Sequence, residues 1–164
     1  MKEIALSQRG RNKGRYVALV DDEDYEYLNQ FKWHATKGRT GGYYAARKYK
    51  EHNIWHTQKM HRLIMQTPDY LEVDHNDHNG LNNQKYNIIN CTHSINEHNK
   101  KPRCKSGLKG VYYDHKLISA RIKIDDKLVY LGSFKSETEA AKAFDTAAKL
   151  KYGVYAKLNY PNET

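Results

Sequence analysis

Large aliphatic side chains are scarce in this chain: leucine, isoleucine, valine and phenylalanine together make 30 of its 164 residues. That shortage raises the question of disorder and excludes one large apolar core. Cysteine is nearly absent as well. Cys91 and Cys104 form no CxxC pair, which excludes a disulfide framework and predicts two reduced thiols in a cytoplasmic protein. Long apolar runs are missing, and stretches such as Tyr16–Val20 are too short to cross a membrane. Met1-Lys2-Glu3-Ile4 carries no secretory apolar segment. No internal repeat and no low-complexity tail is present.

What the chain does have is tyrosine and positive charge. Fourteen tyrosines and two tryptophans can build small cores while keeping polar tips in water. Lysine and arginine number 28 against 19 acids, a formal charge of +9. A basic, polar, tyrosine-rich chain without a membrane span fits a polyanion partner, with nucleic acid first among them. The length suits one medium domain or two small ones.

Local patterns divide the chain. Residues 1–59 read as strands and turns. Arg15–Val20 is β-prone, and Asp21-Asp22-Glu23-Asp24 opens a helix whose Tyr25, Leu28 and Phe31 recur at helical spacing. Trp33–Thr36 and Tyr43–Arg47 flank the basic, glycine-rich Lys37–Gly42, a hairpin signal. Met60–Met65 is a short helix or strand end, Leu71–His75 a strand, Asn76–Asn87 a polar loop and Ile88-Ile89 a second strand. Thr92 or Ser94 caps the helix that follows, with Ser94–Glu97 as a capping box. The basic break 101–107 separates this from three short alternating strands in 109–131, with Asp125-Asp126 as a tight turn. Ser136 then caps an alanine-rich helix that ends at Gly153.

The strongest chemical signal lies in Asp74-His75 … Asn87 … Asn96. Phosphodiester hydrolysis needs a water deprotonated near neutral pH, which suits a neutral imidazole. It also needs a hard cation held by oxygen ligands, and Asp74 and the Asn96 amide carry such oxygens. Neighbouring strand residues point to opposite faces, so Asp74 and His75 divide the two tasks. The bland alternative is turn and cap chemistry in an asparagine-rich loop.

Val73-Asp74-His75 … Gly80-Leu81-Asn82-Asn83 … Asn87 … Cys91–Ser94 … Asn96 … Asn99, preceded by Met60–Ile64, resembles HNH endonucleases of the phage and intron homing type. The resemblance implies a ββα-metal finger over 60–100, behind an N-terminal β-rich segment over 1–59. It implies His75 as general base, Asn87 as the residue that ties the loop and orients that base, and Asp74 and Asn96 as ligands of one Mg²⁺ or Mn²⁺. Asn99 and His93 are candidates for support on the same helix. His78, where many relatives have glycine, is either a phosphate contact or a bystander, and His61 reads as structural. The histidines and cysteines lack the paired spacing of a closed structural zinc site, so none is expected.

Residues 108–161 resemble the APETALA-type (ethylene-response factor) DNA-binding domain. The matching residues are Gly110-Val111, Ala120-Arg121-Ile122, Tyr130-Leu131-Gly132, Phe134, the alanines around Phe144 and Leu158-Asn159. That resemblance implies a three-stranded antiparallel sheet packed on one helix. Lys109, Tyr112, Arg121, Lys123 and Tyr130 stand at its DNA-contact positions. Ile118, Asp114 and Leu128 replace residues usual in that family, which separates any target sequence here from the family's own.

The expectation is therefore an α+β chain: a homing-type DNA endonuclease, monomeric, phage- or bacterium-encoded, acting on double-stranded DNA. A non-catalytic DNA-binding regulator is the alternative. An RNA-binding protein is weaker, because no aromatic RNA-recognition signature appears.

Overall fold

In the computed structural model the described residues are 1–7, 13–38, 41–100, 102, 106–115 and 117–162. Arg39 and Thr40 of the expected basic turn lie outside them, as do Lys101, Arg103, Cys104 and Lys105 of the expected linker. The fold is α+β, with four α-helices and four small antiparallel sheets among the described residues. It divides into two compact units, Met1–Cys91 and Thr92–Thr164.

The first unit begins with β1 (Lys2–Leu6) paired to β2 (Tyr16–Val20). Alternation sends Ile4, Leu6, Ala18 and Val20 inward, where they meet Leu28, Trp33, Ala45 and Met60. Helix α1 (Asp22–Asn29) follows, with three acids in its first turn against the positive end of the helix dipole. Its Leu28 carbonyl accepts the buried Trp33 indole N–H at 2.8 Å. Then come β3 (His34–Lys37), β4 (Tyr43–Glu51) and β5 (Ile54–Lys59), in sheet order β3-β4-β5. A two-residue turn at His52-Asn53, with φ of 45° and 64°, closes the long β4–β5 hairpin. The sequence patterns identify the β3–β4 hairpin but not this second one.

Helix α2 (Met60–Ile64) resolves the ambiguity at Met60 in favour of helix. Strands β6 (Glu72–His75) and β7 (Ile88–Cys91) pair antiparallel, with Asp74 opposite Ile89 and His75 opposite Ile88.

The second unit opens with α3 (His93–Asn99), capped by Thr92, whose hydroxyl accepts from the Ile95 N–H at 3.4 Å. Ser94 therefore sits inside the helix, so the expected Ser94–Glu97 capping box does not form. Strands β8 (Val111–Asp114), β9 (Leu117–Ile124) and β10 (Lys127–Phe134) make a sheet in the order β10-β9-β8. Asp125 and Asp126, both at positive φ, form its tight turn, and the register shifts between Tyr130 and Gly132. Helix α4 (Glu137–Tyr152) packs on the sheet through Ala140, Ala141, Phe144 and Ala148. Its Ser136 cap accepts from the Glu139 N–H at 3.2 Å.

Two local constraints hold this unit. Gly110 lies at φ 73°, and a Cβ there would stand 2.0 Å from the Phe144 ring. Asp145 on α4 is fully buried. It accepts the Asn159 backbone N–H at 2.8 Å, the Asn159 amide at 3.0 Å and the Tyr160 N–H at 2.8 Å, fastening the C-terminal segment. Removing a buried acceptor leaves its donors unsatisfied. Asp145→Ala is expected to lower unfolding free energy by about 3 kcal/mol, read as a lower urea midpoint.

Candidate functional site

The polar loop between β6 and β7 has almost no apolar side chains to fold around, so it is ordered by hydrogen bonds. Asn87 is 1% exposed. Its amide donates to Asp77 Oδ1 at 2.9 Å and to the Asn82 carbonyl at 2.8 Å, and its Oδ1 accepts from the Asp77 N–H at 3.1 Å. Asp77 in turn accepts from the Asn79 N–H at 2.8 Å and the Asn82 amide at 2.8 Å. Side-chain-to-backbone bonds of this reach are why Asn and Asp crowd such loops. Burial works against the Asp77 charge, but the bonds from Asn79, Asn82 and Asn87 hold its carboxyl below the usual carboxylate range.

The loop is also anchored from far away in sequence. Leu19 on β2 donates to the Leu81 carbonyl and accepts from the Asn83 N–H, each at 2.8 Å. The Asp21 carboxylate accepts the Lys85 N–H at 2.7 Å and the Gln84 amide at 3.2 Å. Asp21, which begins a helix by sequence, spends its side chain here and makes no cap bond to α1. Gly80 lies against β4, where a Cβ would fall 2.5 Å from the Tyr44 ring and 2.6 Å from the Tyr43 carbonyl.

This scaffold places Asp74 and His75 at the end of β6. Both are buried, at 8% and 4% exposure, although neighbouring residues point to opposite faces of a strand. Asp74 Oδ1 accepts the His75 backbone N–H at 2.9 Å, which orients the carboxylate. The His75 ring meets His61 edge-on, with centroids 5.0 Å apart, and Tyr44 at 5.8 Å; Tyr44 and His61 lie 5.6 Å apart. His75 Nε2 and His61 Nδ1 are buried without a hydrogen-bond partner. Burial pushes the His75 imidazole below its ordinary range, and Asp77, Asp74 and the Asn83 amide oppose that shift. Burial, then His75, Lys59 and Arg62, drives His61 down to about 3. Both rings are neutral at pH 7. The Cys91 thiol on β7 is pushed up to about 11 by burial, then by Asp74 and Glu72, so it stays protonated and unreactive.

His78 lies exposed in the polar loop at φ 60°, and the remaining residues singled out by sequence lie in the second unit. His93, Asn96 and Asn99 sit on α3, with His93 exposed at its first turn and Asn99 buried. Helix α3 is fixed to its own unit. His98 stacks on Tyr152 at 4.2 Å and Phe144 at 5.7 Å, and Ile95 joins the core of Ile122 and Ala148. Burial, then Lys109, holds the His98 imidazole down at about 4.

Register puts Tyr112, Arg121, Lys123 and Tyr130 on one sheet face, opposite the face that carries Ala120 and Ile122 toward α4. A cleft between that face and α3 is lined by His93, Glu97, Tyr112, Arg121 and Lys123. Arg121 stands 5.2 Å from the Tyr112 ring centre and pairs with Asp114. Lys123 pairs with Asp126 at 2.8 Å. The Lys109 ammonium donates to the His98 and Lys100 carbonyls, each at 2.6 Å, and so caps the C-terminal end of α3.

Among the described residues, no three His, Cys, Asp or Glu side chains gather as a metal cluster. The oriented Asp74 carboxylate is a hard oxygen donor. One or two such protein oxygens fit an ion of the Mg²⁺ kind, which keeps waters and takes substrate phosphate as further ligands.

Three residues at the site escape sequence reasoning. Asp77 is signalled only by the dense Asn/Asp run, Tyr44 by nothing local, and His61 by its motif but not by its contact with His75.

A buried neutral imidazole beside an oriented carboxylate, on a pinned hairpin, is a layout for general-base chemistry. The chain is 27% identical over 152 residues to an uncharacterized HNH endonuclease of Acanthamoeba polyphaga mimivirus, covering 92% of this chain and 78% of that protein. It is 49% identical over 37 residues, 23% of its length, to dehydration-responsive element-binding protein 2E of Arabidopsis thaliana. It is 43% identical over 51 residues, 31% of its length, to an ethylene-responsive transcription factor-like protein of the same plant. The chain spans only 15% and 21% of those two plant proteins. No protein-family model matches it.

Unfolded histidine takes a proton near pH 6.5, whereas folded His61 does so only at about 3. Between those values the unfolded state binds more protons, so stability is full above pH 6.5 and falls as the solution is acidified. By pH 5 the loss from His61 is roughly 2 kcal/mol. His61→Gln should flatten that part of the stability–pH curve, measured by urea unfolding at pH 7.5 and pH 5.

Proposed function

We propose that this protein is a DNA endonuclease of the HNH homing type, hydrolysing a phosphodiester bond of double-stranded DNA. The observation that carries the reading is His75: a buried, neutral imidazole whose Nε2 has no protein partner, next to the oriented Asp74 carboxylate. An imidazole held below its ordinary range is ready to accept a proton across neutral pH. Water presented to Nε2 loses its proton there and attacks phosphorus, while the bond to the 3′ oxygen breaks. Asn87 keeps the loop closed behind the base through its bonds to Asp77 and Asn82. Tyr44 and His61 pack the imidazole from the side.

Asp74, with Asn96 as its partner from the family resemblance, would hold one Mg²⁺ or Mn²⁺. Such an ion supplies charge neutralisation at the phosphate and the departing oxygen. Asn99 and His93 are proposed as support on the same helix.

DNA is held, in this reading, by the sheet of the second unit. Tyr112, Arg121, Lys123 and Tyr130 share one face, which suits reading of a major groove by strands. The short likeness to an element-binding protein, over 37 residues, supports this part. The domain division proposed is a β-rich segment over 1–59, a ββα-metal finger over 60–100, a linker over 101–107 and a DNA-binding domain over 108–161.

A plasmid assay with and without Mg²⁺ or Mn²⁺ tests the proposal. The wild-type chain should cut, and His75→Ala and Asp74→Ala should each lose at least about 100-fold in rate, with duplex binding retained. Unchanged cutting by His75→Ala would remove it as the base. Duplex binding without cutting in either metal would replace the enzyme with a non-catalytic DNA-binding regulator.

A further inference from the structure

The β4–β5 hairpin extends well beyond its neighbour. Strand β3 pairs with β4 only over Tyr43–Ala46, whereas β4 and β5 remain paired from Ala46–Lys59 to Glu51–Ile54. The outer part is therefore a two-stranded ribbon whose two faces differ in composition. On one face, Arg47, Tyr49, His56 and Gln58 pack inward. Arg47 lies 3.6 Å from the Phe31 ring centre and bonds Gln58 at 2.8 Å, and Tyr49 stacks on His56 at 5.3 Å.

The opposite face carries Tyr44, Ala46, Lys48 and Lys50 from β4, with Trp55, Thr57 and Lys59 directly across on β5. It holds three lysines, one tryptophan and no acid. Lys48, Lys50 and Lys59 are exposed, and Trp55 is 67% exposed. Ile54, at 61% exposure, precedes Trp55 at the ribbon tip but lies on the other face, across from Glu51. A large indole at the end of a basic ribbon adds nothing to the core of Leu6, Val20 and Trp33. The face is also continuous with the candidate active site. Lys59 lies 5.4 Å from the Tyr44 ring centre, and Tyr44 touches both His61 and His75.

We propose that the β4–β5 ribbon is a duplex-DNA arm, with Lys48, Lys50 and Lys59 on phosphates and Trp55 at the tip as an apolar wedge at a base step. It deepens the nuclease reading, from which it takes DNA as the ligand. The unbroken positive face selects a polyanion. A narrow two-stranded ribbon enters a groove sterically, and an apolar side chain inserted between base steps kinks the duplex. Tyr44 and Lys50, which lies opposite Trp55, are six positions apart on the strand, a span of roughly 20 Å. At about 3.4 Å per base pair, the wedge acts about six base pairs from the bond that is cut.

The test uses the full chain with mixed-sequence duplex DNA in EDTA, so that cutting does not intervene. Trp33 is buried and serves as a constant reference for indole emission. Adding duplex should quench the Trp55 emission by more than half, and Trp55→Phe should abolish that quench. Circular-permutation gel shifts should show a bend in the range of about 20–90° that Trp55→Ala loses. The double variant Lys48→Ala/Lys50→Ala should keep the wild-type unfolding midpoint and lower the salt slope of binding by about two. Unchanged Trp55 emission in the saturated complex, an unchanged bend in Trp55→Ala or an unaltered salt slope would each overturn the arm. Quenching by duplex RNA but not duplex DNA would overturn it too. An inactive protein that still quenches and bends would sink the nuclease reading alone, and an active nuclease with silent Trp55 would sink only the arm.

Discussion

The bonds around Asn87 are the constraint on which the first unit's site depends. A twelve-residue loop from Asn76 to Asn87, poor in apolar side chains, cannot be ordered by burying hydrocarbon. It is ordered because Asn87, Asp77, Asn79 and Asn82 satisfy one another and nearby backbone donors. Each bond is modest in net free energy, but leaving a buried amide unmade costs more than making it contributes. The web therefore behaves as a unit, and Leu19 and Asp21 lock it to the N-terminal hairpin. Only on such a support can β6 present a buried carboxylate and a buried imidazole side by side.

Burial then decides the chemistry. Burial of the His61 and His75 rings, packed against each other and Tyr44, disfavours the charged form of each imidazole. Two buried imidazole nitrogens without protein partners are costly to a fold, and such costs concentrate where a ligand or substrate completes the bonding. In the second unit positive charge is handled differently. Arg121, Lys123 and Lys100 each meet a carboxylate, Asp114, Asp126 and Glu97 respectively, and Lys109 is taken up by α3 carbonyls. The lysines on the outer ribbon face of the first unit have no acid beside them on that face.

Local signals carried much of the fold. The acidic start of α1, the Ser136 cap, Gly153 and the Asp125-Asp126 turn are all short-range devices, and each acts as its residues imply. The hairpin at His52-Asn53 gives little local signal because His is an uncommon turn residue, and the positive φ of both residues reveals the turn. Ser94–Glu97 matched a capping box, yet Thr92 caps α3, since a cap is chosen by where the chain leaves β7. Asp21 looked like a helix residue because its partners, Gln84 and Lys85, lie more than sixty positions away.

By itself the sequence determined the polar loop, the strands on either side of it, the alanine-rich helix on its sheet and the pairing of Asp74 with His75. Those features rest on neighbours within a few residues, where propensity and alternation act directly. Tertiary structure alone decided that His61 and Tyr44 would wall in His75, that α3 would be seated by His98 on Tyr152, and that one ribbon face would collect lysines and Trp55. These depend on register and on contacts between distant segments, and spacing along a chain does not encode which faces will meet.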